Sequence, residues 1–542
     1  MTDQTFDAVV VGSGCAGSWA AKELTEAGLH TLVLEAGPQR GRGEVPARSV
    51  RLSGADPAQS AGAGVDPADA FTPTLDGGVP TASRRVLAAP ASQHVQRHHP
   101  GFGPRGPHLF VDDAEHPYET PADMPYHWIR GMQVGGRSLV WGGTSLRMSP
   151  YEFQAPTVDG HSLSWPLRYE ELAPSYAVVE KLMGISGNRD GLPQLPDGVY
   201  SRRPGALTPA ERDFQRAYRS AGTRAVAVRF VPAEDGLGGW PRFTMQGTAL
   251  AAAERTGHLR LRPDAVVTKI LADPSSGRAT GVRYLDNRGA AHDARARVVF
   301  ICCGTIETAR LMLNSRGPRH PDGFGNSSGW LGCGLTEHPV VMAAGVLTDY
   351  PPVAGYEWSA RQCGLLIPPP RRGPASVRPF GIWVNLQRLA IDGQTWGIVS
   401  GQGELLPYRH NRVRLGAATD RWGVPVPHIE CAYGPHEERL YGAMKAAVEQ
   451  VASAAKLKIM DVSAELTVPG LNVHELGTAR MGADPGSSVV DADNRCWDSP
   501  NVFVTDGACF PSAGWQNPSA TIMALSVRAG RRAAALLREG VY

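Results

Sequence analysis

Ala8-Val9-Val10-Val11-Gly12-Ser13-Gly14-Cys15-Ala16-Gly17 is the stretch from which the fold is read. An apolar run of this kind suits a short strand buried on both faces, and three glycines follow it in G-x-G-x-x-G spacing. Gly12 permits a tight turn and Gly14 lets backbone approach a pyrophosphate. Gly17 lets a helix from Ser18 to Ala27 pack closely on the strand, its N-terminal N–H groups facing the phosphates. Gly28 ends that helix, and Thr31 to Leu34 reads as the next strand. Glu35 finishes it, eighteen residues past Gly17, where a carboxylate can accept both ribose hydroxyls of an adenine nucleotide. Strand, glycines, helix, strand and terminal acid together predict a dinucleotide site in an α/β domain.

The rest of the chain is long enough for two or three domains, at 542 residues. Apolar content of 42% and charged content of 20% describe an ordinary globular protein. Lys and Arg number 54 against 52 Asp and Glu, a balance of +2 that offers no electrostatic footprint for nucleic acid or an anionic membrane. No apolar run approaches the ~18 residues that span a bilayer. Eight cysteines show no CxxC pair and no ligand-like spacing, which fits free thiols in a reducing cytosol. The opening Met1-Thr2-Asp3-Gln4 is acidic and runs straight into a strand, without a signal-peptide pattern, so a cytoplasmic location is expected.

Residues 38–127 are rich in Gly, Pro, Ala and Arg and lack hydrophobic periodicity, predicting a loop-rich insertion or lid. Its histidines (His94, His98, His99 and His108, with Arg97) have no nearby Cys or carboxylate partners, so a solvated basic loop is expected and no metal site. Trp128 to Thr144 contains Gly135, Gly136, Gly142 and Gly143, backbone bare enough to lie against a flat ring or a phosphate. From Trp165, Leu172, Tyr176, Val179 and Met183 recur at helical spacing. Leu259 to Ala272, Gly281 to Leu285 and Arg297 to Cys302 read as strands. The last leads into Gly304-Thr305-Ile306-Glu307-Thr308 and a helix through Leu313, a second strand-glycine-helix unit returning to the first sheet. Residues 336–470 carry strand-like alternation at Phe380 to Leu386 and Val413 to Leu415, then a helix from Pro435 to Leu457. That region is expected to be a mainly antiparallel sheet carrying the substrate.

Near the C-terminus, Asn472-Val473-His474-Glu475-Leu476-Gly477-Thr478-Ala479-Arg480-Met481-Gly482 offers one histidine able to move a proton. Asn501 to Val504 is a strand ending near Asp506-Gly507, and Asn517-Pro518-Ser519 opens a helix. Asn517 suits a helix cap before Pro518, a role compatible with a functional one.

Taken together, these motifs resemble the glucose-methanol-choline (GMC) family of flavin oxidoreductases. The likeness runs in order through GGRSLVWGG, WPLRYEEL, VVFICCGTIETARLMLNS, HELGTARMG and VFVTDGACFPSAGWQNPSATIMALSVR. Within the family it is nearest to pyranose oxidases and bacterial glycoside 3-oxidases, because H-x-x-G-T-x-R-M-G places His474 at the catalytic histidine. Asn517 stands where other branches often have a second histidine.

The resemblance implies a discontinuous Rossmann-like FAD-binding domain (1–37, 128–164, 256–335 and 471–542). A substrate domain (165–255 and 336–470) would carry the antiparallel sheet flanked by helices. It implies FAD contacts from Gly12, Ser13, Gly14, Ala16, Gly17, Glu35, Gly136, Ser138, Trp141, Gly142, Val267, Gly304, Asp506, Gly507, Asn517 and Ser519. Fungal pyranose oxidases bond flavin covalently through a histidine where this chain has Val140, so FAD is expected to be non-covalent.

Oxidising an alcohol removes a hydroxyl proton and a hydride from the same carbon, and a histidine titrating near ~6.5 suits the first task. His474 is expected as the base, Asn517 as the group that orients the hydroxyl, Asp506 near the ribityl chain or pyrophosphate, and His338 at the cavity border. The expected reaction is oxidation of a sugar or glycoside ring hydroxyl, at C3, with electrons passed to O2. Alternatives are a dehydrogenase using a quinone or other carrier, and a non-redox lyase on the same fold that binds FAD idly.

Overall fold

The computed structural model describes residues 5–41, 107–161, 163–232, 243–352, 364–370, 377–391 and 393–542, with 75, 76, 79, 80, 93, 95 and 96 between them. Strands and helices are numbered in chain order. β1 (Phe6–Val11) lies between β2 (Thr31–Leu34) and β9 (Ala291–Ile301), parallel to both, with Val9 opposite Leu32 on one side and Val299 on the other. β6 (Leu259–Arg262) extends the sheet beyond β2, and β18 (Ser499–Val504) extends it beyond β9, again in parallel. β17 (Arg495–Cys496) pairs antiparallel with β18 at that edge. β7 (Val266–Ala272) and β8 (Ala279–Leu285) fold back antiparallel onto the first half of β9. The strand-glycine-helix unit around Gly304 therefore does return to the first sheet.

Because strand side chains alternate, β1 feeds two cores. Val9 and Val11 join Tyr176, Leu311 and Phe510 on one face, while Ala8 and Val10 join Ala20, Leu24 and Ala533 on the other. The second face is covered by α1 (Cys15–Glu26) and α8 (Ser519–Arg538), packed on each other. Gly530 allows that approach, since a Cβ there would lie 2.9 Å from Glu23 Cβ. On the first face sit α2 (Pro150–Asp159), α3 (Tyr169–Met183) and α6 (Thr305–Asn314). Buried Leu172, Tyr176, Val179 and Met183 form the apolar stripe that the spacing predicts for α3.

A second sheet is wholly antiparallel. In spatial order it runs β16 (Lys458–Val462), β10 (Val340–Val346), β13 (Gln394–Gln402), β12 (Gly381–Ile391), β11 (Leu365–Ile367) and β5 (Val226–Ala227). α4 (Pro209–Ser220) and α7 (Pro435–Ala454) cover it, with Phe214, Val448 and Val451 against Val384 and Val399. Arg388 on β12 makes a buried double contact with Glu211 on α4, both at 2.6 Å. Removing either partner would strand a buried charge at a cost of roughly 3–5 kcal/mol. A separate hairpin, β14 (Arg412–Thr419) and β15 (Pro425–Glu430), packs on α6 instead. α5 (Ala249–Glu254) sits against α1, and β3 (Leu75–Asp76) pairs with β4 (Val79–Pro80).

Several expectations shift. α1 begins at Cys15, not Ser18, because the turn closes at Gly14. The expected strand from Leu259 to Ala272 is two strands, broken where Asp264 takes a left-handed φ of +52°. The helix from Pro435 ends at Ala454, and Lys456 turns the chain with φ +58°. His94, Arg97, His98, His99 and most of the 38–127 insertion lie outside the described residues. His108 falls in a 3-10 turn, Pro107–Leu109. Among the described residues no helix is long and apolar enough to cross a membrane, and no group of metal-ligating side chains gathers.

Candidate active site

Two glycines of the first motif, Gly12 and Gly17, are fixed by contacts that only glycine tolerates, while a Cβ at Gly14 would meet nothing within 4 Å. Gly12 has φ +94°, and a Cβ there would sit 2.4 Å from Cys302 O at the end of β9. At Gly17 a Cβ would fall 1.9 Å from Gly12 O, so α1 rests directly on the turn. Gly136 (φ +54°) reaches the same turn from the 3-10 segment Gly136–Leu139, its Cβ position 3.1 Å from Gly14 Cα. Glu35 binds this loop to β2: one oxygen accepts from Ser13 N at 3.0 Å and Ser13 Oγ at 2.6 Å, the other from Gly37 N at 3.1 Å. Burial pushes its carboxyl pKa upward, against the pull of those donors.

These walls surround a cavity of about 360 Å³. Gly12, Ser13, Gly14, Ala16, Glu35, Gly136, Ser138, Trp141, Gly142, Val267, Gly304, Asp506, Gly507, Asn517 and Ser519 all line it, as does His474. Gly17 does not; its part is the close packing beneath the turn. The N-termini of α1 and α8 open toward the cavity with no side-chain cap and no acid in the first turn, so their N–H groups and positive ends are offered to it. Glycine backbone for phosphates, a carboxylate for ribose, two helix N-termini and a wall of Val140, Trp141 and Val267 fit FAD. Trp141 is held by its indole, which donates to Phe243 O at 2.6 Å.

His474 meets Asn517 at this wall, Nε2 to Nδ2, at 3.3 Å. Asn517 Oδ1 has no hydrogen-bond partner. Asn517 is not the helix cap. Pro518 holds the N-cap position of α8 at φ −78°, ψ −17°, and no side chain caps it, which leaves the Asn517 amide turned to His474. His474 follows Val473, a β-branched residue held at φ +54°. Arg137 clamps this strained backbone on both sides: Nη1 donates to Val473 O at 3.1 Å and Nη2 lies 2.8 Å from Glu475 Oε2.

Asp506 lines the cavity with both oxygens already engaged. Oδ2 accepts from Gly304 N (2.9 Å) and Thr308 Oγ1 (2.6 Å), and Oδ1 from Ala508 N (2.9 Å). It therefore ties the end of β18 to the start of α6, and burial raises its pKa. His338 stands one layer behind the cavity wall, fully buried, with Nδ1 3.1 Å from His474 Nδ1 and the rings at 87°. Burial pushes its pKa down to about 4.

Sequence reasoning passed over Arg137, although a lone charge within GGRSLVWGG was the signal for it. It also passed over the tip of the β14–β15 hairpin. Asp420 and Trp422 line the cavity there, Asp420 paired with Arg310 and Trp422 stacked on His116 at 4.8 Å. No described residue of the six-stranded sheet lines this cavity.

The GMC oxidoreductase N-terminal family model matches residues 6–340, and the C-terminal model matches 407–526. The chain belongs to the GMC oxidoreductases. It is similar to paromamine 6'-oxidase of Streptomyces fradiae, 27% identical across 98% of this chain and 92% of that protein. It is similar to 2-methyl-1,2-propanediol dehydrogenase of Mycolicibacterium austroafricanum, 30% identical across 73% and 80%. C-glycoside 3-oxidase of Microbacterium trichothecenolyticum is 26% identical across 74% and 75%. The GMC fold is shared with Aspergillus oryzae formate oxidase, at 14% identity and a TM-score of 0.65 over 100% of both chains. This GMC oxidoreductase thus acts on CH–OH groups, and its Rossmann-like parallel sheet and antiparallel sheet are those of the family.

Proposed function

We propose that this GMC oxidoreductase oxidises a ring secondary hydroxyl of a sugar or glycoside, at C3, to the ketone. FAD is bound non-covalently, and electrons pass to O2 to give H2O2. The observation that carries the reading is the His474–Asn517 pair, Nε2 to Nδ2 at 3.3 Å on the wall of the dinucleotide cavity. His474 Nε2 takes the hydroxyl proton as the C–H bond breaks, which suits an imidazole at neutral pH. Asn517 does not titrate; its Nδ2 donates to the hydroxyl oxygen and turns it toward the base. FAD, when bound, supplies the acceptor for the hydride. The positive end of α8 favours negative charge on that side of the cavity. Val140 offers no nucleophile to the ring, which supports non-covalent binding.

The sugar assignment draws on the likeness to the C-glycoside 3-oxidase and the paromamine 6'-oxidase. A dehydrogenase using a quinone is the second reading, favoured by the likeness to the propanediol dehydrogenase. A panel of monosaccharides and O- and C-glycosides separates them. Peroxide formed in air supports the oxidase, and dye reduction that persists in air without peroxide supports the dehydrogenase. A 3-keto product fixes the position, an aldehyde moves it to an exocyclic carbon, and a flavin spectrum unchanged by any substrate returns the lyase.

A further inference from the structure

His474 has two ring nitrogens, and its use as a base depends on which of them is bare. Nε2 reaches Asn517, while Nδ1 meets Nδ1 of His338 at 3.1 Å. Two unprotonated ring nitrogens repel at that distance, so a hydrogen bond there needs one proton between them. If His338 donates it, His474 carries its own proton on Nε2 and cannot accept from an alcohol. If His474 donates it, Nε2 is a lone pair.

The group that faces His474 Nε2 decides the direction. An amide nitrogen donates and cannot accept, so the 3.3 Å contact from Asn517 Nδ2 makes His474 Nε2 the acceptor and puts the ring proton on Nδ1. His338 Nδ1 is then the acceptor at 3.1 Å, and its own proton lies on Nε2, which has no hydrogen-bond partner among the described residues. We propose that His338 is a positioning residue: its Nδ1 accepts the Nδ1–H of His474 and thereby holds the His474 imidazole in the tautomer whose Nε2 lone pair faces the substrate hydroxyl. This rests on His474 as the base of the proposed reaction.

The ring is locked in place for this task. Thr336 and Leu476 exchange backbone hydrogen bonds at 3.0 and 2.8 Å, and Asn472 Nδ2 donates to His338 O, so residues 336–338 are stitched to 472–476 on either side of His474. Glu337, next in the chain, turns away to accept from Gly470 N and Tyr433 Oη. From the opposite side, Glu404 accepts from Ala513 N and is paired with Arg378, which neutralises it. The Arg137–Glu475 pair flanks His474 itself. No bare carboxylate among the described residues is shown in contact with the His338 ring, and its full burial keeps it neutral. A carboxylate in its place would orient His474 equally well but would also make it more basic. A neutral ring orients without that effect.

The test uses FAD-loaded protein labelled with ¹⁵N-histidine, with His474 assigned by comparison with H474A. In the wild type, the resting spectrum should show His474 protonated at Nδ1 and bare at Nε2. His338→Asn, which keeps an acceptor oxygen, should preserve this tautomer and lie within about threefold of the wild-type flavin-reduction rate. His338→Leu, which has no acceptor, should mix the tautomers and slow reduction by roughly 10–100-fold. His338→Asp should move the acid limb of the rate profile to higher pH. A wild-type His474 protonated at Nε2 overturns the proposal, and so does an unchanged tautomer and rate in His338→Leu. If His338→Leu does not fold, the wild-type tautomer and the Asn and Asp variants still decide. If no alcohol reduces the flavin, the proposed reaction fails while the tautomer result stands separately.

Discussion

Replacing Arg137 with Met removes the clamp on the His474 backbone while keeping most of the side-chain bulk. Glu475 is then left at 2% exposure, and neither of its oxygens has a hydrogen-bond partner among the described residues. Stranding a fully buried charge costs roughly 3–5 kcal/mol. Arg137 is 36% exposed toward the cavity, so water screens the pair and the expected loss falls to about 2–3 kcal/mol. A second effect is local. Val473 sits at φ +54°, a conformation that costs roughly 1–3 kcal/mol and persists only when neighbours over-determine it. Without the Arg137 bond to its carbonyl, Val473 relaxes and carries His474 away from Asn517. The assay is a double-mutant cycle of wild type, R137M, E475Q and R137M/E475Q, with denaturant unfolding followed by tryptophan fluorescence on FAD-loaded protein. The double variant should recover at least ~1.5 kcal/mol of the R137M loss, because E475Q removes the stranded charge. Its flavin-reduction rate should remain low, since the backbone clamp is still missing. If R137M falls within ~0.5 kcal/mol of wild type and the two changes simply add, the clamp argument is refuted.

Three further outcomes are expected. Gly17→Ala places a Cβ 1.9 Å from Gly12 O, so the turn must open; the protein should lose its flavin absorbance, and a normal FAD content would contradict the packing argument. Burial pushes Glu337 up to about 8, so the folded protein holds a proton there that the unfolded chain releases near ~4.5. Stability should therefore decline as pH rises from the ordinary carboxylate range through about 8 and then level off, and E337Q should remove that decline in thermal midpoints measured between pH 5 and 9. Asn517→Ala should slow flavin reduction by roughly 10²-fold at saturating alcohol while FAD content stays constant; an unchanged rate would remove Asn517 from the reaction.

The nucleotide half of the site is legible in sequence because its constraints are local. Gly12 and Gly17 are demanded by contacts with backbone a few residues away or on the adjacent strand, and β1 announces itself by burial on both faces. The His474 motif is equally readable, since its neighbours Glu475, Leu476 and Gly477 travel with it. What escapes is contact between distant segments. His338 lies 136 positions from His474 and joins it only because Thr336 and Leu476 happen to pair. Arg137 sits in a glycine-rich loop whose small residues drew attention away from it. The Asn-Pro-Ser pattern suggested a cap at Asn517, yet the folded chain places Pro518 there and spends the amide on His474. The β14–β15 hairpin, expected within a substrate sheet, packs on α6 because its apolar face meets that helix, and its tip then reaches the nucleotide cavity.

The most direct measurement is anaerobic flavin reduction by a panel of sugars and glycosides, run side by side on wild type and His474→Ala. The wild type should be yellow as purified or on adding FAD, and at least one sugar should bleach it. His474→Ala should retain its FAD and be reduced roughly 10²–10⁴-fold more slowly. A protein that stays colourless and refuses FAD, or a variant reduced at the wild-type rate, would contradict the assignment of this cavity and this histidine.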